Sequence, residues 1–512
     1  MEYSLSYQLP LLLPLFLFIF VLWRLTWKKA KTPLNLPPGP LKLPIIGNLH
    51  QLIGSKLPHH KLHALAKEYG PIFHLKLGEV DNIVISSPET AKQILKTHDM
   101  VFASRPHLLA TSIVAYDSTD IAFSPYGEYW RQLRKLCILE LLSVKRVRSY
   151  RDIREDEVSK LVKFIASMSG SKINLSRLVF SMTYTFTSRA AFGKACKLDE
   201  GFIPAIAEVI EAAGGFSVAD LFPSVKWLPV LSGMTAKLVR IHGKVDKILG
   251  KVIDEHIARR VEYRADGDHQ VEGEEEDLVD VLLNHNKNVN SESNLTTENI
   301  KAVILDMFIA GSETSGTTVE WAISNLIKDP NTMRKAQDEV RRFFKEEQKV
   351  NEEGLGQLTY IKLVIKETLR LHPPVAMLLP RECRENCKIN GYDVPAKSRV
   401  IVNAWAIGRD PNYWTDPERF YPERFLDSSY DFTGTKFEYI PFGAGRRMCP
   451  GMAFGVATVE LTLASLLFHF DWKVPGGLKV EDLDMGESFG ATIRKEIDLN
   501  VVPLVYNPTA VA

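Results

Sequence analysis

The sequence predicts a mainly α-helical protein with small peripheral β-sheets, a single large domain behind an N-terminal transmembrane helix. Three observations carry that expectation. Apolar residues in most of the middle of the chain recur with helical periodicity. Strand-like runs are short and confined to two stretches, residues 72–85 and 388–403. From Leu41 onward no repeat and no convincing break divides the chain, although 512 residues would admit two or three domains. Composition narrows the function classes. Lys plus Arg number 63 and Asp plus Glu 62, and a net charge of +1 argues against a protein built to neutralise nucleic-acid phosphates. Hydrophobic residues at 45% and charged residues at 24% exclude wholesale disorder. Five cysteines are too few for a disulfide scaffold in a chain this long.

The first element is the anchor, residues 1–24. Tyr3 to Trp23 carries no charged side chain and is long enough to cross a hydrocarbon core as a helix, with Pro10 and Pro14 loosening its first half. Arg24, Lys28, Lys29 and Lys31 follow, which places the remainder of the chain on the cytosolic side. A cleaved secretory signal would need a basic start, a shorter apolar core and a small-residue cleavage site, and none is present. Residues 25–40 form a basic, proline-rich linker whose Leu36-Pro37-Pro38-Gly39-Pro40 reads as a stiff spacer. Residues 41–512 are the expected catalytic domain. No later stretch reads as apolar enough for a second span.

Next come two short strands, Ile72 to Leu77 and Ile83 to Ile85, around a turn at residues 78–82. Ser87-Pro88-Glu89 then caps a helix. Trp130 and Arg134 stand four apart, so one helical face presents an indole N–H and a guanidinium together, suited to a carboxylate or simply a basic face. A long helix is expected from about Thr296 to Lys328, with Ala310-Gly311-Ser312-Glu313-Thr314-Ser315 at its centre. A glycine inside a helix costs about 1 kcal/mol relative to Ala, so a missing side chain there has a use. Thr314 beside Glu313 can pass protons, and Thr314 can also bond back to a carbonyl; alone, the pair would read as an ordinary surface pair. Glu367 and Arg370 fall three apart on a helix starting near Thr359, and Pro422-Glu423-Arg424-Phe425 supplies a further arginine. Pro417-Glu418-Arg419-Phe420 is a near copy, so the third member is ambiguous, order favouring Arg424.

The strongest signal is Phe442 to Gly451, FGAGRRMCPG, before a long apolar helix pattern. Glycines let the backbone approach a planar ligand, and a Cys at a helix entrance can be held as thiolate, which suits it to ligate haem iron. A dinucleotide-binding loop fails here, because the third glycine position is Met448. An inert buried Cys is the other reading.

Phe442, Gly445, Arg447, Cys449 and Gly451 fill every fixed position of the haem-binding signature of the cytochrome P450 superfamily, and the resemblance extends over essentially the whole chain. It implies a cytochrome P450 fold and a haem b cofactor. Cys449 would be the axial ligand of the haem iron, and Arg447, Trp130, Arg134 and, by position, Arg381 would hold the haem propionates. Phe442 and Gly443 would lie against the haem. Thr314 would hold dioxygen, Glu313 would relay protons, and Ala310 with Gly311 would leave room for oxygen and substrate. Glu367, Arg370 and Arg424 would be structural. The resemblance also implies a monooxygenase of the endoplasmic reticulum membrane, single-pass, fed from NADPH by a membrane flavoprotein, the NADPH-cytochrome reductase. Arg131, Lys135 and Arg446 would help form the docking face. Its partners would otherwise be an apolar small-molecule substrate and membrane lipid, with no nucleic acid.

DMFIAGSETSGTTVEWAI resembles plant microsomal enzymes that hydroxylate terpenoids, with an alkaloid or phenolic substrate as the alternative. Segments 105–123, 214–219, 303–309, 375–379 and 488–491 are expected to line the pocket, with Asp306 a polar handle or a helix-surface acid. A reductase-independent isomerase or dehydratase is disfavoured by the intact Thr314 and Phe442, and a non-enzymatic haem sensor would leave the oxygen-activating segment without a purpose. His59, His60 and His63 lack an evident acid partner and read as a solvated segment. Cys383 and Cys387 have loose zinc-like spacing without a second pair, and Cys137 and Cys196 read as apolar fillers.

Overall fold

The computed structural model describes residues 34–193, 202–212, 217–265, 276–285, 295–477 and 479–507. The expected membrane anchor, most of the linker, Cys196 and residues 214–216 lie outside these. Six helices position the site: α1 (Pro58–Tyr69), α2 (Glu128–Leu136), α3 (Leu175–Phe192), α4 (Thr297–Lys328), α5 (Tyr360–Leu371) and α6 (Met452–His469).

Helix α4 begins at a reciprocal capping box. The Thr296 hydroxyl accepts from Asn299 N, and the Asn299 side chain accepts from Thr296 N. It stops at Asp329, because Pro330 opens the next helix with Asp329 as its cap. From Ser315 to Ile327 it is buried throughout. Gly316 explains how α3 comes so close: a Cβ there would stand 2.6 Å from the Phe180 ring. The largest apolar cluster joins α3, α4, α5 and α6 through residues such as Val179, Ala322, Ile365 and Leu463. Helix α6 is long and apolar enough to cross a membrane, which corrects the expectation that no later stretch is. Most of it is buried inside the protein, so its apolarity serves the core.

The main sheet runs β1 (Ile72–Leu77), β2 (Val80–Ile85), β4 (Arg399–Val402), β3 (Arg381–Glu382). β1 pairs antiparallel with β2, Ile72 opposite Ile85, and β2 pairs parallel with β4, Asn82 opposite Arg399. The turn is shorter than expected, because polar Asp81 and Asn82 belong to β2. Asp81 accepts from His74 at 2.8 Å and from Lys76 at 2.9 Å across the ladder, which keeps polar residues in the strand. A two-stranded ribbon, β5 (Glu487–Ser488) with β6 (Arg494–Lys495), lies near the C-terminus. A three-stranded sheet and one further ribbon complete the peripheral strands among the described residues.

Candidate active site

Cys449 sits three residues before α6, with Gly451 at the helix N-cap. Its loop closes on itself: Cys449 N donates to Phe442 O at 3.0 Å and Gly443 N to Ile440 O at 2.9 Å. Gly445 is obligatory, for its φ is +70° and a Cβ there would strike Leu95 O. The thiol is exposed, but onto an internal cavity of about 440 Å³ that Phe442, Gly443 and Arg447 also line. Burial pushes the Cys449 thiol up, while the Gly451 N–H and the Arg134 guanidinium pull it down. Those two groups are in place to hold a thiolate.

One side of the cavity gathers four arginines. Arg447 donates to Ala103 O at 2.7 Å, Ser124 O at 2.5 Å and Ile121 O at 3.3 Å, and lies 3.9 Å over the Trp130 ring. Arg381 donates to Ala444 O at 2.9 Å and pairs with Asp99 at 3.2 Å. Arg134 reaches Met448 O, and Arg105 reaches Ala122 O and Leu379 O, each at 2.8 Å. Burial, reinforced by the neighbouring arginines, depresses Arg447 to about 9; burial likewise depresses Arg381 to about 10. Asp99 is the one carboxylate ion-paired with this group among the described residues. Asp120 is spent on the Phe123 and Ser124 N–H groups and is pushed up to about 6 by burial. Buried cations short of anions suit a ligand with two carboxylates, and an open thiol below them suits an iron centre. The residues therefore fit a haem.

Trp130 packs beside these arginines: its ring face lies beneath Arg447, and its indole N–H donates to Ile121 O at 3.0 Å. Arg105 is a member that sequence reasoning missed; it lies in an expected lining segment, but no motif marks it as an anion holder.

Helix α4 crosses the cavity with Ala310 exposed to it and Thr314 half-buried. The Thr314 hydroxyl donates to Ala310 O at 2.7 Å. Glu313 is buried, accepting from the Tyr184 hydroxyl on one oxygen and from Arg494 Nε on the other at 2.8 Å. Burial raises its pKa and Arg494 opposes that. Gly311 was expected to make room for ligands. It lines the cavity, and its absent Cβ also points at Phe454 Cε1, 3.1 Å away, and Thr187 Cγ2, 3.3 Å away, which serves the packing of α3 and α6 against α4.

The other walls are apolar and come from the expected segments around 108–123, 305–309, 375–379 and 489–491. Within the segment at 214–219, the described residues 217–219 are a correction. None of its described residues lines the cavity, because Ser217 caps a short outer helix and Asp220 on that helix accepts from Leu109 N at 2.7 Å. Val209 and Ile210 stand there instead. Asp306 accepts from the N–H groups of Ile121 and Ala122, both at 2.9 Å, so this helix acid pins the loop beside the arginines.

On α5, Glu367 is fully buried between two guanidinium groups: Arg370 forks onto both its oxygens at 2.7 and 2.8 Å, and Arg424 Nε donates at 2.9 Å. Arg419 offers only its carbonyl, to Arg370 and to Arg424. His59 and His60 are also a correction. They are not a solvated segment without an acid, since both Nε2 atoms meet Glu487, at 2.7 and 2.9 Å.

The sequence model of the family described as Cytochrome P450 matches residues 37–501. Premnaspirodiene oxygenase of Hyoscyamus muticus is 51% identical, over 94% of this chain and 95% of that one. Desmethyl-deoxy-podophyllotoxin synthase of Sinopodophyllum hexandrum is 52% identical over 92% of each. Tabersonine 16-hydroxylase 2 of Catharanthus roseus is 51% identical over 94% of each. A zebra fish cytochrome P450 solved with progesterone shares the fold, with a TM-score of 0.73 at 24% identity over 88% of this chain and 99% of that one. A thiol facing a cavity beside four buried arginines fits the cofactor of that family, and the chain belongs to the cytochrome P450 family as a haem-dependent monooxygenase that receives its electrons from NADPH through a reductase.

Proposed function

We propose that this monooxygenase hydroxylates or otherwise oxidises an apolar plant specialised metabolite, a terpenoid in the first place. The observation that carries this reading is the cavity itself, with the Cys449 thiol and four arginines on one side and apolar walls on the other. The kinship with premnaspirodiene oxygenase supports it. Haem held by a thiolate supplies the oxygen insertion, using O2 and two electrons. In this reading Cys449 ligates the iron, and Arg447, Arg134, Arg381 and Arg105 receive the propionates, with Trp130 packed under Arg447. Thr314 and Glu313 manage the proton supply at Ala310. Glu367, Arg370 and Arg424 hold α5 to the segment before the Cys loop.

An alkaloid is the second reading, favoured by the kinship with tabersonine 16-hydroxylase 2. Asp306 borders the cavity, but its Oδ2 already accepts from the Ile121 and Ala122 N–H groups, so it is engaged with that loop and poorly placed to pair with an ammonium. That weighs toward the uncharged substrate.

Residues 1–24 act in this reading as a single span in the endoplasmic reticulum membrane, 25–40 as the linker and 41–512 as one haem domain on the cytosolic side, meeting a membrane-bound reductase. Leu41 and Ile45 are exposed where the described chain begins, as are Trp227 and Leu231 on a segment packed against residues 78 and 79 through Leu221. Apolar side chains left in the open suit contact with lipid.

The test is direct. The protein, reduced under carbon monoxide, is expected to give the thiolate-type Soret band, and Cys449→Ser is expected to lose it. With NADPH and reductase, a terpenoid panel is expected to yield oxygenated products. Turnover confined to basic alkaloids would overturn the substrate assignment.

A further inference from the structure

Glu487 opens β5, and β5 with β6 forms a hairpin whose tip, from Phe489 to Thr492, lines the cavity. The two ends of this hairpin are held in different ways. At the far end Arg494 donates to Glu313 on α4. At the near end Glu487 is buried and meets the first turn of α1: its Oε2 accepts from His59 Nε2 at 2.7 Å and from His60 Nε2 at 2.9 Å. Its Oε1 accepts from the Trp405 indole at 3.4 Å. Burial would raise the carboxyl, but the imidazoles of His372, whose Nδ1 lies 3.6 Å from Oε1, and of His59 and His60 hold it well below its ordinary range. An ionised carboxylate can only accept, so both imidazoles carry their proton on Nε2. The cluster also touches the tip directly, since the Phe489 ring stacks on His59 with centroids 6.4 Å apart. Three of these atoms lie close enough together to hold a divalent cation. Against that, Oε2 is already engaged by two donors, and the Arg409 guanidinium over Trp405 adds positive charge.

We propose that Glu487, held by His59, His60 and Trp405, is a positioning residue for substrate recognition, fixing the root of the β5–β6 hairpin so that its tip forms one wall of the substrate cavity. The proposal rests on the reading of that cavity as the substrate site. An isolated two-stranded ribbon is marginal by itself, so the place of its tip is set by what grips it. The β6 side is fixed by Trp321 Nε1, which donates to Ile493 O at 3.0 Å, and by Ile493 N, which donates to Pro374 O at 2.8 Å. That leaves the β5 side, with Phe489, to the Glu487 cluster. A loosened root lets Phe489 leave His59, and the wall must then be ordered again each time a large ligand binds. That ordering cost weakens ligands that reach the hairpin and spares ligands small enough to touch only the iron and its surroundings.

Two azoles separate these cases in the haem-loaded full-length protein, each read by its Soret shift. Imidazole is the small probe and clotrimazole the bulky one. Glu487→Gln and His60→Ala are expected to weaken clotrimazole by about 5-fold to 10-fold and imidazole by less than about 2-fold. His60 is partly exposed, so its variant folds even where Glu487→Gln does not. His60→Gln restores an N–H donor and is expected to recover most of the clotrimazole affinity. Equal weakening of both probes, or no change in either, would overturn the proposal. Absence of any imidazole shift in the unmutated protein would instead sink the haem pocket, and the proposal with it.

Discussion

The Arg494 guanidinium donates to the Glu313 carboxylate, Nε to Oε2 at 2.8 Å, tying the hairpin at the end of the chain to the helix that crosses the cavity. Glu313 is almost fully buried, and its other oxygen is taken by the Tyr184 hydroxyl. The acid next to Thr314 is therefore a held charge, and its partner decides whether it stays ionised. Arg494→Ala leaves a buried carboxylate with no cation, which raises its pKa further. We expect Arg494→Ala to lower stability by about 1–3 kcal/mol, with Arg494→Lys intermediate, in thermal unfolding of the haem-loaded protein. Unchanged unfolding in both variants would show that the pair contributes nothing.

Thr314 donates to Ala310 O, the carbonyl one turn earlier on the cavity side of α4. Thr314→Ala removes the hydroxyl and leaves the Cys449 loop untouched. The thiolate-type Soret band should persist, while the share of NADPH that ends in product falls about 10-fold or more. Full coupling in Thr314→Ala would count against its part in proton supply.

Gly316 offers a contest between two effects. Ala in a helix interior is worth about 1 kcal/mol over Gly, yet a Cβ at 316 would meet the Phe180 ring at 2.6 Å. Overpacking of a rigid interface costs about 1–3 kcal/mol, so Gly316→Ala should lower the melting temperature rather than raise it. Gly311→Ala meets Phe454 at 3.1 Å and should cost less. The order of the two melting temperatures checks this.

Glu367 is the hub of a buried trio, and removing it strands two guanidinium groups. We expect Glu367→Ala to cost about 3–5 kcal/mol and to yield protein that retains little haem. Arg419→Ala, which keeps the backbone carbonyl that Arg370 uses, should be nearly silent. Haem content per protein, measured on both variants, separates them.

His372 is buried and stacked on Trp321, ring centroids 4.0 Å apart, and burial depresses it to about 4. Its unfolded form takes a proton near pH 6.5. Between those values the unfolded chain binds more protons, so the contribution is complete above pH 6.5 and is lost as pH falls toward 4, by up to about 3 kcal/mol. His372→Phe keeps an aromatic ring on Trp321 without a titrating site. Its unfolding midpoint should fall less between pH 7 and pH 5 than that of the unmutated protein; equal falls would refute the assignment.

What the sequence determined by itself was local. The cap of α4 at Thr296, the glycine-bearing loop around Cys449 and the pairing of Glu367 with Arg370 each depend on residues a few positions apart, where backbone geometry settles the outcome. The same is true of the mainly helical character, read from periodicity. Tertiary structure alone decided the rest. It turned the Trp130 N–H to Ile121 and added Arg105 to the arginines at the cavity, and it brought to Glu367 the Arg424 that chain order had only favoured over the near-identical Arg419. It also gave Glu313 to Arg494, and it brought His59 to a glutamate 428 residues away. A charged side chain does not declare its partner in sequence. Which guanidinium or imidazole reaches a buried carboxylate depends on how helices pack, and no periodicity records that.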